Sequence, residues 1–214
     1  MRVNAKKTEL EKMTTESVWK LVFLLSIPTV LSMLISSVYN TADTFFVSKL
    51  GDSATGAVGI VFALQSIIQA FGYGIGMGCG SLVSRHLGAG DREGANKYAS
   101  SAVAAAAAVG AVICVIGFAA TDPMLRLFGS TETILPHARG YARFILLGAP
   151  IMSVSFTLSN ILRSEGHATF SMIGLTVGGL INMALDPLFI FTFGCGVAGA
   201  AMATVISQFI SFTV

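Results

Sequence analysis

Polar residues interrupt this chain only briefly. Between the interruptions lie six apolar runs, at about 18–47, 54–84, 98–120, 134–161, 169–193 and 197–214. A helix needs about 20 apolar residues to cross a bilayer's hydrocarbon core, and the runs are of that order. They are too long for strands and lack the period-two alternation of a barrel. The pattern therefore predicts an all-α membrane protein, with a polar tail at 1–16 and one bundle of six transmembrane helices over 17–214. The breaks are LGDS (50–53), SRHLGAGDREGANK (84–97), TDPMLRLFGSTET (121–133), RSEGH (163–167) and FGCG (193–196).

Small residues mark where helices should pack. Gly72, Gly76, Gly80, Ser84 and Gly88 recur every four positions in the second run. Such a stripe lets backbones approach closely in lipid. The alanine run Ala104–Ala108 carries the same expectation for the third helix. The glycines do not have dinucleotide-site spacing, and no strand precedes them.

Composition agrees with the pattern: 54% of residues are hydrophobic and 11% charged, against about 25% charged in soluble domains. A net charge of +2 gives no reason to expect a nucleic-acid partner. The basic residues are unevenly placed. Arg2, Lys6, Lys7, Lys12, Lys20, Arg85, Arg92, Lys97 and Arg163 fall in or beside segments on the N-terminal side of the bundle. Only Lys49, Arg126, Arg139 and Arg143 fall opposite, the last two sharing a face and expected to snorkel to outer headgroups. The positive-inside rule then predicts a multi-pass protein of the cell (inner) membrane with a cytoplasmic N-terminus. The tail is too polar, and the run after it too long, for a cleaved leader.

Several chemistries find no support. Cys79, Cys114 and Cys195 are isolated, as small buried thiols would be. His86, His137 and His167 lie in or near loops without a second ligand at metal spacing. No hydrolytic triad and no nucleotide-binding loop of the Walker type occurs, so an enzyme is not expected.

Two acids stand inside the runs, Asp43 and Asp186. Charges within a bilayer are costly and tend to be functional. Entering near Trp19, the first helix reaches Asp43 after roughly 36 Å, and the fifth reaches Asp186 roughly 24 Å after Phe170. Thr204 lies roughly 10 Å into the inward-running sixth helix. All three depths fall in the outer half. Asn182 precedes Asp186 by one turn on the same face, with Gly174 and Gly178 narrowing that face. Pro187 and Pro28 each free a carbonyl one turn back, which membrane helices tolerate only beside a partner, water or an ion. Singly, Asp43 reads equally as an interface marker, Asp186 as a structural acid, Asn182 as an interhelical bond and Pro187 as a kink. Their common depth points to a cation or proton site.

The stretches IPTVLSMLISSVYNTADTFFVSKLG, SRHLGAGDREGANKY, ILRSEGHATFSM and GLINMALDPLFIFTFGCGVAGAAMATVISQ resemble the multidrug and toxic compound extrusion (MATE) family, in its prokaryotic DinF-like branch. The resemblance implies one six-helix lobe of a twelve-helix antiporter. Such a protein exports cationic or amphipathic drugs or metabolites in exchange for Na⁺ or H⁺ and needs no other cofactor. It also implies a cation or proton site at Asp43, Asn182, Asp186 and Thr204, with Tyr39 and Tyr141 as nearby hydroxyls. The partners implied are the bilayer, a small substrate and a second six-helix lobe, from the same gene or another chain. A lipid-linked oligosaccharide flippase of the wider superfamily and a non-transporting membrane scaffold are the competing readings. Cleft cations would favour the flippase.

Overall fold

The computed structural model describes residues 17–213. The tail expected at 1–16 lies outside the described residues. Six long apolar helices span 18–213: α1 (Val18–Ser48), α2 (Asp52–Gly88), α3 (Arg92–Ala119), α5 (Leu135–Ser164), α6 (Ala168–Pro187) and α7 (Gly196–Thr213). A short α4 (Thr121–Leu127) caps the turn between α3 and α5, and a π-helical turn (Leu188–Thr192) extends α6. No strand occurs among the described residues.

The helices run further into the polar breaks than hydropathy indicates. The break at 84–97 shrinks to Ala89–Asp91 because both flanks are capped. Gly90, at φ +79°, lets the Asp91 N–H reach back to the His86 carbonyl at 2.9 Å. The Asp91 carboxylate then accepts from the Gly94 N–H at 2.9 Å and starts α3. Gly166, at φ +87°, repeats the device, with the His167 N–H 2.8 Å from the Leu162 carbonyl. As a result Arg163 is not a loop residue, as the hydropathy break suggests. It belongs to the last turn of α5 and is half-buried.

The break at 121–133 likewise hides α4. Asp122 suits the positive end of this helix and Arg126 its negative end, while a fully buried Leu125 pins it to the core. Arg139, expected to snorkel, has a partner within the protein. Its Nε and Nη2 donate to the two oxygens of Asp122 at 2.8 and 2.6 Å, clamping α4 onto α5. That clamp holds the Asp122 carboxyl below the usual carboxylate range.

α5 is the hub, packed on α2, α3 and α7. The small-residue stripe of α2 faces it. A Cβ on Gly72 would fall 2.9 Å from Phe156 Cβ, and one on Gly76 2.8 Å from Asn160 Cβ. Thr157 Oγ1 donates to the Gly72 carbonyl at 3.0 Å, and Ser84 Oγ to the Ser164 carbonyl at 3.0 Å. The stripe ends there, because Gly88 faces open space. The alanine run of α3 does not pack as a block either. Ala106 alone of the five is buried, on a face shared with Ala102 and Gly110, because helical periodicity presents only one residue in each turn to a neighbour. Gly174 and Gly178 do bring α6 against α7, and Ser211 Oγ donates to the Gly174 carbonyl at 2.8 Å. Of the cysteines only Cys79 is buried; Cys195 is exposed in the turn before α7, where Gly194 and Gly196 hold the chain open.

α1 is attached mainly to α6, where Tyr39 lies flat on Gly179: a Cβ there would meet the Tyr39 ring at 2.7 Å. Most of its apolar side chains, among them Phe23, Ile27, Met33 and Val38, remain exposed.

Candidate functional site

Four helices bring the expected site residues together. α1 contributes Asp43, α5 Tyr141, α6 Asn182 and Asp186, and α7 Thr204. Asp43, Tyr141, Asn182 and Asp186 are all buried, Asp186 completely. The Tyr141 hydroxyl donates to Asp43 Oδ2 at 3.4 Å. Asn182 Nδ2 divides its donors between Asp186 Oδ1 at 3.3 Å and Thr204 Oγ1 at 3.4 Å. Thr204 Oγ1 donates in turn to the Ala200 carbonyl at 3.0 Å. Tyr39 lies on the same helix one turn before Asp43 but packs on Gly179, so its ring braces α1 against α6.

This burial sets the Asp43 side chain inside the bundle. One oxygen of each acid, Asp43 Oδ1 and Asp186 Oδ2, is enclosed without a hydrogen-bond partner. Asp43 lies near enough for its charge to act on the Asp186 carboxyl. Enclosed carboxylate oxygens without donors are costly to leave ionised. Two such oxygens, the Asn182 side-chain carbonyl and the Thr204 hydroxyl give the cluster the all-oxygen chemistry that suits H⁺ or Na⁺. Among the described residues no group of three or more His, Cys, Asp or Glu is placed to hold a metal ion.

Of the two prolines only Pro187 adjoins this cluster; Pro28 lies fifteen residues before Asp43 on α1, roughly 22 Å along the axis. α1 continues through Pro28, whose carbonyl accepts from Ser32 Oγ at 2.7 Å. Pro187 immediately follows Asp186 and opens the π-helical turn, where the Phe193 N–H bonds the Leu188 carbonyl at 3.0 Å. Wide turns of this kind recur at functional sites.

A family model, MatE, matches residues 28–188. The chain belongs to the MatE family. MatE relatives include a protein named FAD transporter from Shewanella oneidensis, 29% identical over 88% of this chain and 43% of that protein. The multidrug export protein MepA of Staphylococcus saprophyticus is 28% identical, over 96% of this chain and 46% of its own. Among solved structures, a MOP superfamily transporter from Pyrococcus furiosus, described as having a binding pocket of reversed polarity, superposes with a TM-score of 0.86 at 36% identity. That match covers 91% of this chain and 43% of the other. The chain thus spans under half the length of the MatE proteins it matches. These relatives are named as transporters, not enzymes.

Sequence reasoning missed four polar residues of the interior. Gln65 is buried and faces the Tyr141 hydroxyl. Gln208 is buried with its Oε1 unpartnered. Arg163 and Asn160, three residues apart and so on one face of α5, line a cavity of about 470 Å³ between α1, α2, α5 and α6. A glycine at the left-handed cap position, Gly166, is the signal that extends α5 and brings Arg163 inside.

Proposed function

We infer that this chain is the ion-binding half of a secondary active antiporter, which exports a small amphipathic compound in exchange for Na⁺ or H⁺. The observation carrying the reading is the pair of enclosed, donor-less oxygens on Asp43 and Asp186. Entry of H⁺ or Na⁺ between the carboxyls relieves their repulsion. α1, which carries Asp43, and α6, which carries Pro187 beside the cluster, repack when the charge changes. An ion shifts a conformational equilibrium only as far as it binds the two states differently, and repacking of these helices supplies that difference.

Alternating access needs two bundles rocking around a shared site, so export requires a second six-helix lobe. The uneven distribution of basic residues supports a cytoplasmic N-terminus and Ala89–Asp91 turn, in a protein of the inner membrane. The names of the relatives refer to FAD in one case and multidrug export in another, so family membership leaves the substrate's charge to the residues lining the cavities.

The test is thermal unfolding of the chain in lipid nanodiscs. Wild type should be stabilised by Na⁺ at fixed pH, or by acidification at fixed K⁺, following ligand linkage. Asp43→Asn and Asp186→Asn should remain folded and lose that response, while Asn182→Ala and Thr204→Ala should weaken it less. Equal responses in wild type and both Asn variants would sink the assignment.

A further inference from the structure

The Arg163 end of the 470 Å³ cavity lies far from the acid cluster, although α1 and α5 serve both and Ser37 of its wall is six residues before Asp43. From Tyr141, which touches Asp43, to Arg163 the α5 axis runs roughly 33 Å. The cavity is within the size range of small-molecule sites. Arg163 is the single formally charged residue lining it.

An arginine half-enclosed by a membrane bundle is ordinarily paired. This one is not paired with an acid: Nε donates to Ser171 Oγ at 3.3 Å, and no carboxylate bridges to it among the described residues. The terminal Nη atoms carry four of the guanidinium's five N–H donors, and no bond from them to protein occurs among the described residues. Its place in the last turn of α5 favours a cation through the helix dipole, but uses none of those donors. Around it the walls are neutral and mixed. Tyr73 stacks on Phe156 at 5.0 Å and offers a ring face. Met33 and Met77 supply adaptable apolar surface. Asn160 spends its amide on the Phe156 carbonyl at 2.8 Å, which leaves its own oxygen facing the same space.

We propose that this cavity binds an amphipathic anion, its carboxylate or phosphate held by the Arg163 guanidinium and its apolar body lying between Tyr73, Met33 and Met77. The planar fork of arginine matches either oxyanion with two parallel bonds. The proposal rests on the transporter reading and names the class of its substrate as anionic, where resemblance alone implies a cationic or amphipathic compound.

Three probes of one shape decide it: 2-naphthoate, 2-naphthalenemethanol and 2-naphthylmethylammonium. Their binding is measured by titration to the chain in phosphatidylcholine nanodiscs without an ion gradient. The naphthoate should bind about tenfold more tightly than the ammonium, the scale of one charge-assisted contact. Arg163→Met should remove that advantage and leave the neutral alcohol unchanged, which also reports that the variant is folded. Should that variant fail to fold, Asn160→Asp places an acid in the same cavity and should reverse the ranking. Competition by phosphatidylglycerol assigns the site to a lipid phosphate; its failure assigns a soluble anion. Preferred binding of the ammonium, or an unchanged naphthoate affinity in the folded variants, overturns the proposal. Because no ion gradient is used, the ranking is read independently of ion coupling, so the anion site and the antiport reading can fail separately.

Discussion

Tyr141 Oη lies 3.4 Å from Asp43 Oδ2, joining α5 to the far end of α1. It is a buried polar link across a helix that otherwise packs mainly on α6. Removing a donor from a buried charged acceptor costs about 1–3 kcal/mol. Tyr141→Phe should therefore lower the stability of the chain in nanodiscs by that order. In the double variant with Asp43→Asn the losses should fail to add by at least about 0.5 kcal/mol, as for groups in direct contact. Strict additivity in the thermal unfolding data would mean the two side chains do not interact.

The close approach of α2 and α5 predicts opposite outcomes for two glycines one half-turn apart. At Gly76 a Cβ meets Asn160 Cβ at 2.8 Å and the Thr157 backbone at 3.0 Å. Gly76→Ala should destabilise by about 1–3 kcal/mol, the usual penalty of overpacking. Gly74 faces open space, so Gly74→Ala should be near neutral. Similar unfolding temperatures for both variants would contradict the packing described.

The membrane character and helix number were legible because hydropathy over twenty residues reports span length directly. The two acids stood out for a related reason: Asp43 and Asp186 are rare residue types inside apolar runs. Asp43's burial was not, because one helix's path length cannot tell a headgroup position from an interior contact with Tyr141. Arg163 was misplaced because a hydropathy break marks where polar residues begin, whereas a helix ends where its carbonyls find a cap. Here that cap is Gly166. The Asp122–Arg139 clamp joins residues on either side of a turn, and nothing in the spacing of either run announces it.

Orientation can be read from a cysteine the protein already has. Cys195 is exposed in the turn between α6 and α7, whereas Glu93 is exposed beside the Ala89–Asp91 turn. Alternation of six spans puts those turns on opposite sides. With a cytoplasmic N-terminus, an impermeant maleimide applied to intact cells should label Cys195. It should fail to label Glu93→Cys in a Cys195→Ser background until the cells are opened. The reverse pattern would invert the topology and the depth argument with it.

The clamp between α4 and α5 should respond to acid in a defined direction. Arg139 holds the Asp122 carboxyl below its ordinary range, so the folded state binds that proton less readily than the unfolded chain. The clamp's stabilisation is then fully present above the ordinary carboxylate value of about 3.9, and is lost as pH falls below it. Hydrogen exchange over residues 121–127, corrected for intrinsic rates, should show steady protection from neutral pH down to about 4 and faster opening below that. Arg139→Gln should open the same segment faster at every pH and flatten the dependence, while Arg143→Gln, at an exposed position that acts on Asp122 only weakly through its charge, should do both to a much smaller extent. If Arg139→Gln left the protection of 121–127 unchanged, the buried Leu125 would be holding α4 in place without help from the ion pair.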